Sequence, residues 1–287
     1  MLKSSDKEIT VIGAGIVGIC CACYLQKSGF QVTLVDREEP AMQTSFGNAG
    51  GISPGSVTPL GMPGIWKQIP RWLLDDNAPL VIKGRYLPKA LPWLARFALQ
   101  SRTSRVRQIS KALDALNSPT FDAYQPLLED AALTQLFHQS GQLFLYRNRQ
   151  DMDKDTLTHE LRLDGGASIE FLNAEEIREI EPAISPIFEA GYLMPDNGHC
   201  KDPYGLASGL VKMFVNKGGF LVKADVLDFI FDADGVSGLS TSTATLNTRR
   251  VVIAAGIWSK ILCEKLGLSV PLESHRGYHA TIENSNI

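Results

Sequence analysis

The sequence has little of what marks a metalloprotein, a nucleic-acid binder or a membrane-spanning chain. It holds five cysteines, of which Cys20, Cys21 and Cys23 fall in one predicted helix where neighbouring residues point to different faces. Cys200 and Cys263 stand alone. Zinc sites draw on closely spaced Cys pairs in turns with further His or Cys partners, and that arrangement is missing. His138, His159, His199 and His275 are scattered and form no ligand set. No metal is therefore expected, and the clustered thiols read as small hydrophobes of a packed helix. Such a cysteine pattern suits a reducing cytoplasm.

Charge of one sign is also lacking. A net charge of −3 gives no general pull toward nucleic acid or anionic lipid, and no zinc-finger or RNA-recognition signature appears, so no nucleic-acid partner is expected. The apolar stretch from Val11 to Leu25 is broken by three glycines and is too short to span a bilayer. The polar start, Met1 to Glu8, leads directly into a predicted strand, which reads as no secretory signal. Neither a Ser-His-Asp nor a Cys-His motif is present, and there are no repeats or low-complexity tracts.

What is there suits a globular α/β protein. The 287 residues are 44% hydrophobic and 21% charged, enough for one large or two medium domains. Glu8–Gly13 (EITVIG) predicts a β-branched strand, Ile16–Ser28 a helix stopped by Gly29, and Gln31–Asp36 (QVTLVD) a second buried strand. Strand, turn, helix and strand within about 30 residues make a βαβ unit. The stretch Ser45–Gly64, rich in Gly, Ser, Pro and Asn, predicts a long loop of the kind that is usually functional.

Further on, Leu87–Leu133 reads as helical, punctuated by Pro88, Pro92, Pro119 and Pro126. Gln142–Tyr146 predicts a strand and Asp151–Leu163 a helix. Ala174–Ile180 predicts a short helix capped by Asn173, with Glu176 three residues later. Ala190–Met194 predicts a strand and Tyr204–Lys217 an amphipathic helix stopped by Gly218 and Gly219. Phe220–Phe231 and Val236–Thr245 read as paired strands around Asp234 and Gly235. Arg250–Ala255 predicts a buried strand and Ile257–Leu266 a helix.

The chemistry is concentrated in VIGAGIVG, Val11–Gly18, a full G-x-G-x-x-G. Gly13 permits the tight turn out of the strand, Gly15 lets the backbone approach a pyrophosphate, and Gly18 lets the helix pack on the sheet. The first-turn amides, from Ala14, Gly15, Ile16 and Val17 to Gly18, then face the phosphates. Alone the motif is weak evidence, but it follows a strand, opens a helix and is answered by Asp36, roughly 20 positions on, where an acid accepts hydrogen bonds from a ribose. The bland alternative is a glycine-rich turn that holds no nucleotide. Arg37 suggests a 2′-phosphate, but the acid beside it repels one.

Later segments resemble one family. TSFGNAGGISPG (Thr44–Gly55) resembles the flavin-contacting loop of FAD-dependent D-amino-acid dehydrogenases in the D-amino-acid oxidase and glycine oxidase superfamily. EIREIEPAI (Glu176–Ile184), DNGHCKDPYGLASGL (Asp196–Leu210), VVIAAGIWS (Val251–Ser259) and HRGYHATI (His275–Ile282) follow in the family's order. The resemblance covers nearly the whole chain and is weakest from Pro63 to Leu133.

It implies a Rossmann-like FAD-binding domain with a discontinuous α+β substrate domain, an α/β fold of the D-amino-acid oxidase type. The FAD domain would use residues 1–60 and 199–270, and the substrate domain 61–198, returning at 271–287. It implies FAD as cofactor, with Asp36 and Arg37 beside the adenosine ribose. Thr44, Ser45, Asn48, Ala49, Gly50 and Gly51 would meet the isoalloxazine or pyrophosphate, Val226 the adenine, and Ala255 and Gly256 the cofactor by close backbone approach. VVIAAG reads equally as a core strand ending at a helix.

The implied reaction is oxidative deamination of D-amino acids to 2-oxo acids and ammonia by hydride transfer to flavin N5, with electrons passing to a quinone or a carrier protein. No enzyme nucleophile is needed, so no catalytic residue is named. Arg276, Tyr278 and His279 are the local candidates for substrate contact, and each reads equally as an exposed charge, a core aromatic or a buried imidazole. Rival readings are an oxidase of glycine, sarcosine or another secondary amine, and a non-catalytic FAD-binding subunit or fragment.

Gly84–Lys111 carries Arg85, Lys89, Arg96, Arg102, Arg105, Arg107 and Lys111 with no acid among them, and Trp66, Trp72 and Trp93 lie upstream or within it. Such a region suits peripheral contact with the inner face of a membrane, or simply a solvated helix face. Family members continue well beyond the end of this chain. The expectation is a fragment, an interrupted gene or a site completed by a second chain, with the isolated chain's activity reduced accordingly.

Overall fold

The computed structural model describes residues 7–65, 87–274 and 277. The chain forms β1 (Glu8–Ile12), α1 (Ile16–Lys27), β2 (Gln31–Asp36) and the short β3 (Gly51–Ile52). Three helices follow: α2 (Leu87–Gln100), α3 (Thr103–Asn117) and α4 (Thr120–Ala131). Next come β4 (Phe137–His138), β5 (Gln142–Tyr146), α5 (Arg149–Lys154), α6 (Thr156–Asp164), β6 (Glu170–Asn173) and α7 (Ala174–Ile180). The chain continues through β7 (Ala190–Met194), β8 (Gly198–Cys200), α8 (Pro203–Asn216), β9 (Phe220–Lys223) and β10 (Val226–Asp232). The last elements are β11 (Gly235–Thr241), β12 (Thr245–Asn247), β13 (Val251–Ile253) and α9 (Ser259–Lys265).

These elements divide into two compact units. The first comprises Met1–Gly51, Ala123–His138 and His199–Ile287, the second Ile52–Asp122 and Gln139–Gly198. The chain passes to the second unit at Ile52, returns to the first over Ala123–His138, and comes back to it finally at His199.

The first unit is built on a parallel sheet in the order β13-β1-β2-β9. Its central strands β1 and β2 are rich in Val, Ile and Leu and largely buried, as suits strands covered on both faces. α1 buries Gly18, Ile19, Ala22 and Cys23, and α8 buries Leu206, Ala207, Leu210 and Phe214 among others. The two helices pack together, and Gln26 of α1 donates from Nε2 to the Phe214 and Lys217 carbonyls at 3.1 Å each, satisfying orphan acceptors at the C-terminus of α8. Lys27 and Lys217 both reach Asp130, at 2.7 and 2.8 Å.

A second, antiparallel sheet, β10-β11-β12, closes the other side of this core, where Ile12, Val35, Ala224, Phe229, Leu239 and Leu262 meet. Here the structure corrects the sequence reading. Phe220–Phe231 is not one strand but two: β9 joins β2 in parallel, and β10 turns away to pair with β11. The break is held by the Ala224 N–H on the Asp36 carbonyl (2.8 Å) and the Asp225 N–H on Ser242 Oγ (3.0 Å).

In the second unit the antiparallel sheet β5-β7-β6 carries a core of Met152, Ala190, Tyr192 and Met194. Asn173 caps α7 through a complete capping box, its Oδ1 accepting from the Glu175 and Glu176 N–H groups while its own N–H donates to Glu176 Oε2 at 2.7 Å. The helix predicted over Asp151–Leu163 is two helices broken at Asp155, whose Oδ2 accepts the Tyr146 hydroxyl at 2.9 Å. The basic run also has local partners: Arg107 pairs with Glu160 at 2.7 Å and Asp164 at 3.1 Å.

Candidate functional site

In a sheet ordered β13-β1-β2-β9, the chain leaves β1 toward β2 and later returns on the opposite side as β13. The crevice at the carboxyl ends of β1 and β13 is therefore the topological switch point, where open α/β sheets bind ligands. The Gly13 turn follows β1, Asp36 ends β2, and Ala255 and Gly256 follow β13.

Gly13 follows β1 and remains zipped to β2, its N–H donating to the Val35 carbonyl at 2.8 Å. Its φ is +105°, and a Cβ would lie 2.5 Å from the Ala254 carbonyl oxygen, so only glycine fits. Ala14 is buried, and its N–H donates to Asp36 Oδ2 at 2.6 Å. The other Asp36 oxygen accepts the Glu38 N–H at 2.9 Å. Each carboxylate oxygen keeps a further lone pair for a hydroxyl donor.

α1 opens with Gly15 as its N-cap, in extended backbone, with no side-chain cap and no acid in the first turn. The Ile16 N–H donates to Ser45 Oγ at 3.1 Å, while Val17 is exposed and Gly18 buried. A helix start with the positive end of its dipole uncapped by its own N-cap residue suits a phosphate.

The Ser45 bond ties the Thr44–Gly51 loop to the glycine turn. Within the loop Thr44 and Ala49 are exposed, and Asn48 Oδ1 accepts the Gly50 N–H at 2.6 Å. Gly50 sits at φ +77°, its carbonyl accepting the Cys200 N–H at 2.7 Å, and a Cβ there would run into the Cys200 carbonyl. The loop is held as a backbone-rich surface with Gly51 exposed at its end.

On the other flank the Ala254 N–H donates to the Ile12 carbonyl at 2.7 Å, extending β13. Ala255 is half-buried and Gly256 is exposed at φ +54°, opening a single 3-10 turn, Gly256–Trp258. Val226 begins β10 opposite Thr241, two residues after Ala224 bonds the end of β2. Thus Gly13 to Gly18, Asp36, Arg37, Thr44, Ser45, Asn48 to Gly51, Val226, Ala255 and Gly256 all lie in the first unit. Arg276, Tyr278 and His279 lie outside the described residues.

The sequence reading missed Trp258. The Arg37 guanidinium stands 4.2 Å from its ring centroid. No local signal marks the residue, since an aromatic two positions past a strand-end glycine reads as core.

Two thiols of α1 are held in the protonated form. Burial pushes Cys20 up to about 12 and Cys23 up to about 11.

The arrangement fits an anionic dinucleotide: a helix N-terminus whose N-cap residue has no side chain to cap it, a carboxylate with spare lone pairs, and an arginine with no salt-bridge partner among the described residues. A family described as FAD dependent oxidoreductase (DAO) matches residues 8–286. The chain belongs to this FAD-dependent oxidoreductase family. FAD is the cofactor that membership implies, and the residues above fit it.

The chain is 36% identical over 281 residues to a D-amino-acid oxidase of Bradyrhizobium diazoefficiens, covering 97% of this chain and 66% of the relative. It is 29% identical to a D-amino acid dehydrogenase of the same organism, covering 96% and 66%. A solved glycine oxidase from Bacillus cereus has a similar fold, with a TM-score of 0.60 at 19% identity over 90% of this chain and 57% of that one. The chain thus spans just under two thirds of the curated relatives it matches.

Among the described residues, no helix is long and apolar enough to cross a membrane.

Proposed function

We propose that the protein takes part in FAD-dependent oxidative deamination of D-amino acids. The observation that carries the reading is the Ser45–Ile16 hydrogen bond, which brings the loop resembling a flavin-contacting segment onto the glycine turn. The two relatives named for D-amino acids support the substrate class.

When bound, FAD supplies the redox chemistry by accepting a hydride from the substrate Cα at N5. The chain's residues bind and orient. The amides of Gly15 to Gly18 meet the pyrophosphate, and Asp36 accepts from the ribose hydroxyls. Ser45 and Asn48 to Gly51 hold the isoalloxazine edge by backbone approach. Val226, Ala255 and Gly256 line the rest of the cofactor, and Arg276, Tyr278 and His279 are proposed to meet the substrate. Loss of that hydride from the neutral amine leaves an iminium ion, which water hydrolyses to the 2-oxo acid and ammonium. The first unit is accordingly the FAD-binding part and the second the substrate part.

Electrons pass to a quinone or carrier protein in this reading. Oxygen as acceptor is the second reading, favoured by the higher identity to the relative named an oxidase. Peripheral membrane contact through α2 belongs to the first: Leu91, Trp93 and Leu99 are exposed there beside Lys89 and Arg96.

The test is anaerobic mixing of the FAD-loaded protein with a panel of D- and L-amino acids, glycine and sarcosine. Flavin bleaching confined to D-amino acids is expected, with reoxidation by a quinone or dye. Bleaching by glycine or sarcosine alone overturns the substrate class, and rapid peroxide formation without dye reduction overturns the acceptor. Bound flavin that no amino acid bleaches favours a non-catalytic FAD-binding role.

A further inference from the structure

Arg37 and Trp258 touch although their strands are not neighbours. Arg37 follows β2 and Trp258 follows β13, and β1 lies between those strands. Adjacent strands are about 4.8 Å apart, so β2 and β13 are separated by roughly twice that. A guanidinium 4.2 Å from the indole centroid therefore closes across the carboxyl end of β1, in front of the Gly13 turn.

Both residues are exposed, and among the described residues Arg37 has no salt-bridge partner. The guanidinium carbon lies over the ring, and among the described residues its N–H groups make no hydrogen bond, which leaves donors for oxygen acceptors. The Trp258 backbone is held in place: its main-chain N–H donates to the Ala255 carbonyl at 3.1 Å in the turn that Gly256 opens at φ +54°.

We propose that Arg37 and Trp258 form a clasp over the adenosine diphosphate half of FAD, with Trp258 a positioning residue that holds the Arg37 guanidinium toward the ribose and phosphate oxygens. This rests on the FAD reading above and adds a residue to it. Asp36 and Arg37 then divide the work at the end of β2. The carboxylate accepts from hydroxyls, and the guanidinium donates to acceptors from the opposite wall.

Calorimetric titration of the flavin-free full chain with ADP and with FAD tests the clasp, using Arg37→Ala, Trp258→Ala, Trp258→Phe and the double alanine variant. Trp258→Ala should weaken both ligands about fivefold, the size of a partly exposed cation–π coupling, and Arg37→Ala about tenfold. The double variant should bind no more weakly than Arg37→Ala alone, because Trp258 acts through Arg37. Trp258→Phe, which keeps a π face, should recover most of the loss, and the melting temperatures of the ligand-free proteins should agree. Additive losses, or a Trp258→Ala protein that binds both ligands like wild type, overturn the clasp while leaving the FAD reading intact. A wild-type chain that binds neither ligand overturns both.

Discussion

Asp36 accepts the Ala14 N–H at 2.6 Å, so the acid at the end of β2 anchors the glycine turn at the end of β1. Its second oxygen takes the Glu38 N–H at 2.9 Å, which fixes the carboxylate plane before any ligand arrives. The residue thus organises the turn, and in the proposed FAD reading the same two oxygens would accept from the ribose hydroxyls. Asp36→Asn keeps the size but exchanges one acceptor oxygen for a donor and removes the charge. Hydrogen bonds to charged groups contribute about 1.5–3 kcal/mol, so flavin affinity should fall about tenfold or more. Equilibrium dialysis against FAD measures this, and an unchanged dissociation constant contradicts the assignment.

Gly13 and Gly15 should fail in different ways when changed to alanine. At Gly13 the backbone is left-handed and a Cβ meets Ala254, so Gly13→Ala should lower the melting temperature of the flavin-free protein and its flavin content together. At Gly15 the backbone is extended and the nearest atom to a Cβ is Ser45 Oγ at 3.6 Å, so the fold should tolerate Gly15→Ala. The added methyl occupies the space a pyrophosphate needs, and FAD affinity should drop without a change in ligand-free stability. Equal melting losses for the two variants would argue that Gly15 serves packing alone.

His159 predicts an acid limit for the second unit. It is buried against Phe171 and Tyr192, with ring centroids 5.2 and 5.0 Å away, and its Nε2 has no hydrogen-bond partner among the described residues. Burial holds its pKa below the usual 6.5. The Arg162 cation pushes the same way, while Asp155 and Asp153 oppose. Below about pH 6.5 the unfolded chain takes up a proton there that the folded chain resists, so stability falls as pH drops and is fully present above that value. Urea midpoints from about pH 7.5 to about pH 5.5 should decline in wild type and decline less in His159→Leu. Parallel slopes for the two proteins would place the acid sensitivity elsewhere.

Asn173 offers a test of local control. Asn173→Ala removes the acceptor for the Glu175 and Glu176 N–H groups and should cost about 1 kcal/mol. Urea unfolding measures it, and Asn173→Ser should restore most of the loss. A neutral alanine variant would mean that α7 is held by Ile177 packing without its cap.

Several elements were legible from the chain alone because their causes are local. Gln31–Asp36, Gln142–Tyr146, Ala174–Ile180 and Ala190–Met194 fall where alternation, capping and turn residues place them. The split of Phe220–Phe231 was not legible. No Gly or Pro divides it; Lys223, Ala224 and Asp225 are weak strand formers, but the turn they make is held by Asp36 and Ser242, which are distant in sequence. The break at Asp155 similarly coincides with a hydrogen bond from Tyr146 on another element.

By itself the sequence determined the βαβ unit, the glycines that a left-handed turn requires, and the acid that ends β2, since each follows from neighbours within a turn or a strand. Only the tertiary structure decided that Ser45 ties its loop to α1 and that Trp258 meets Arg37. Those contacts exist because strand order in the parallel sheet, a property no local stretch carries, sets β2 and β13 on either side of β1.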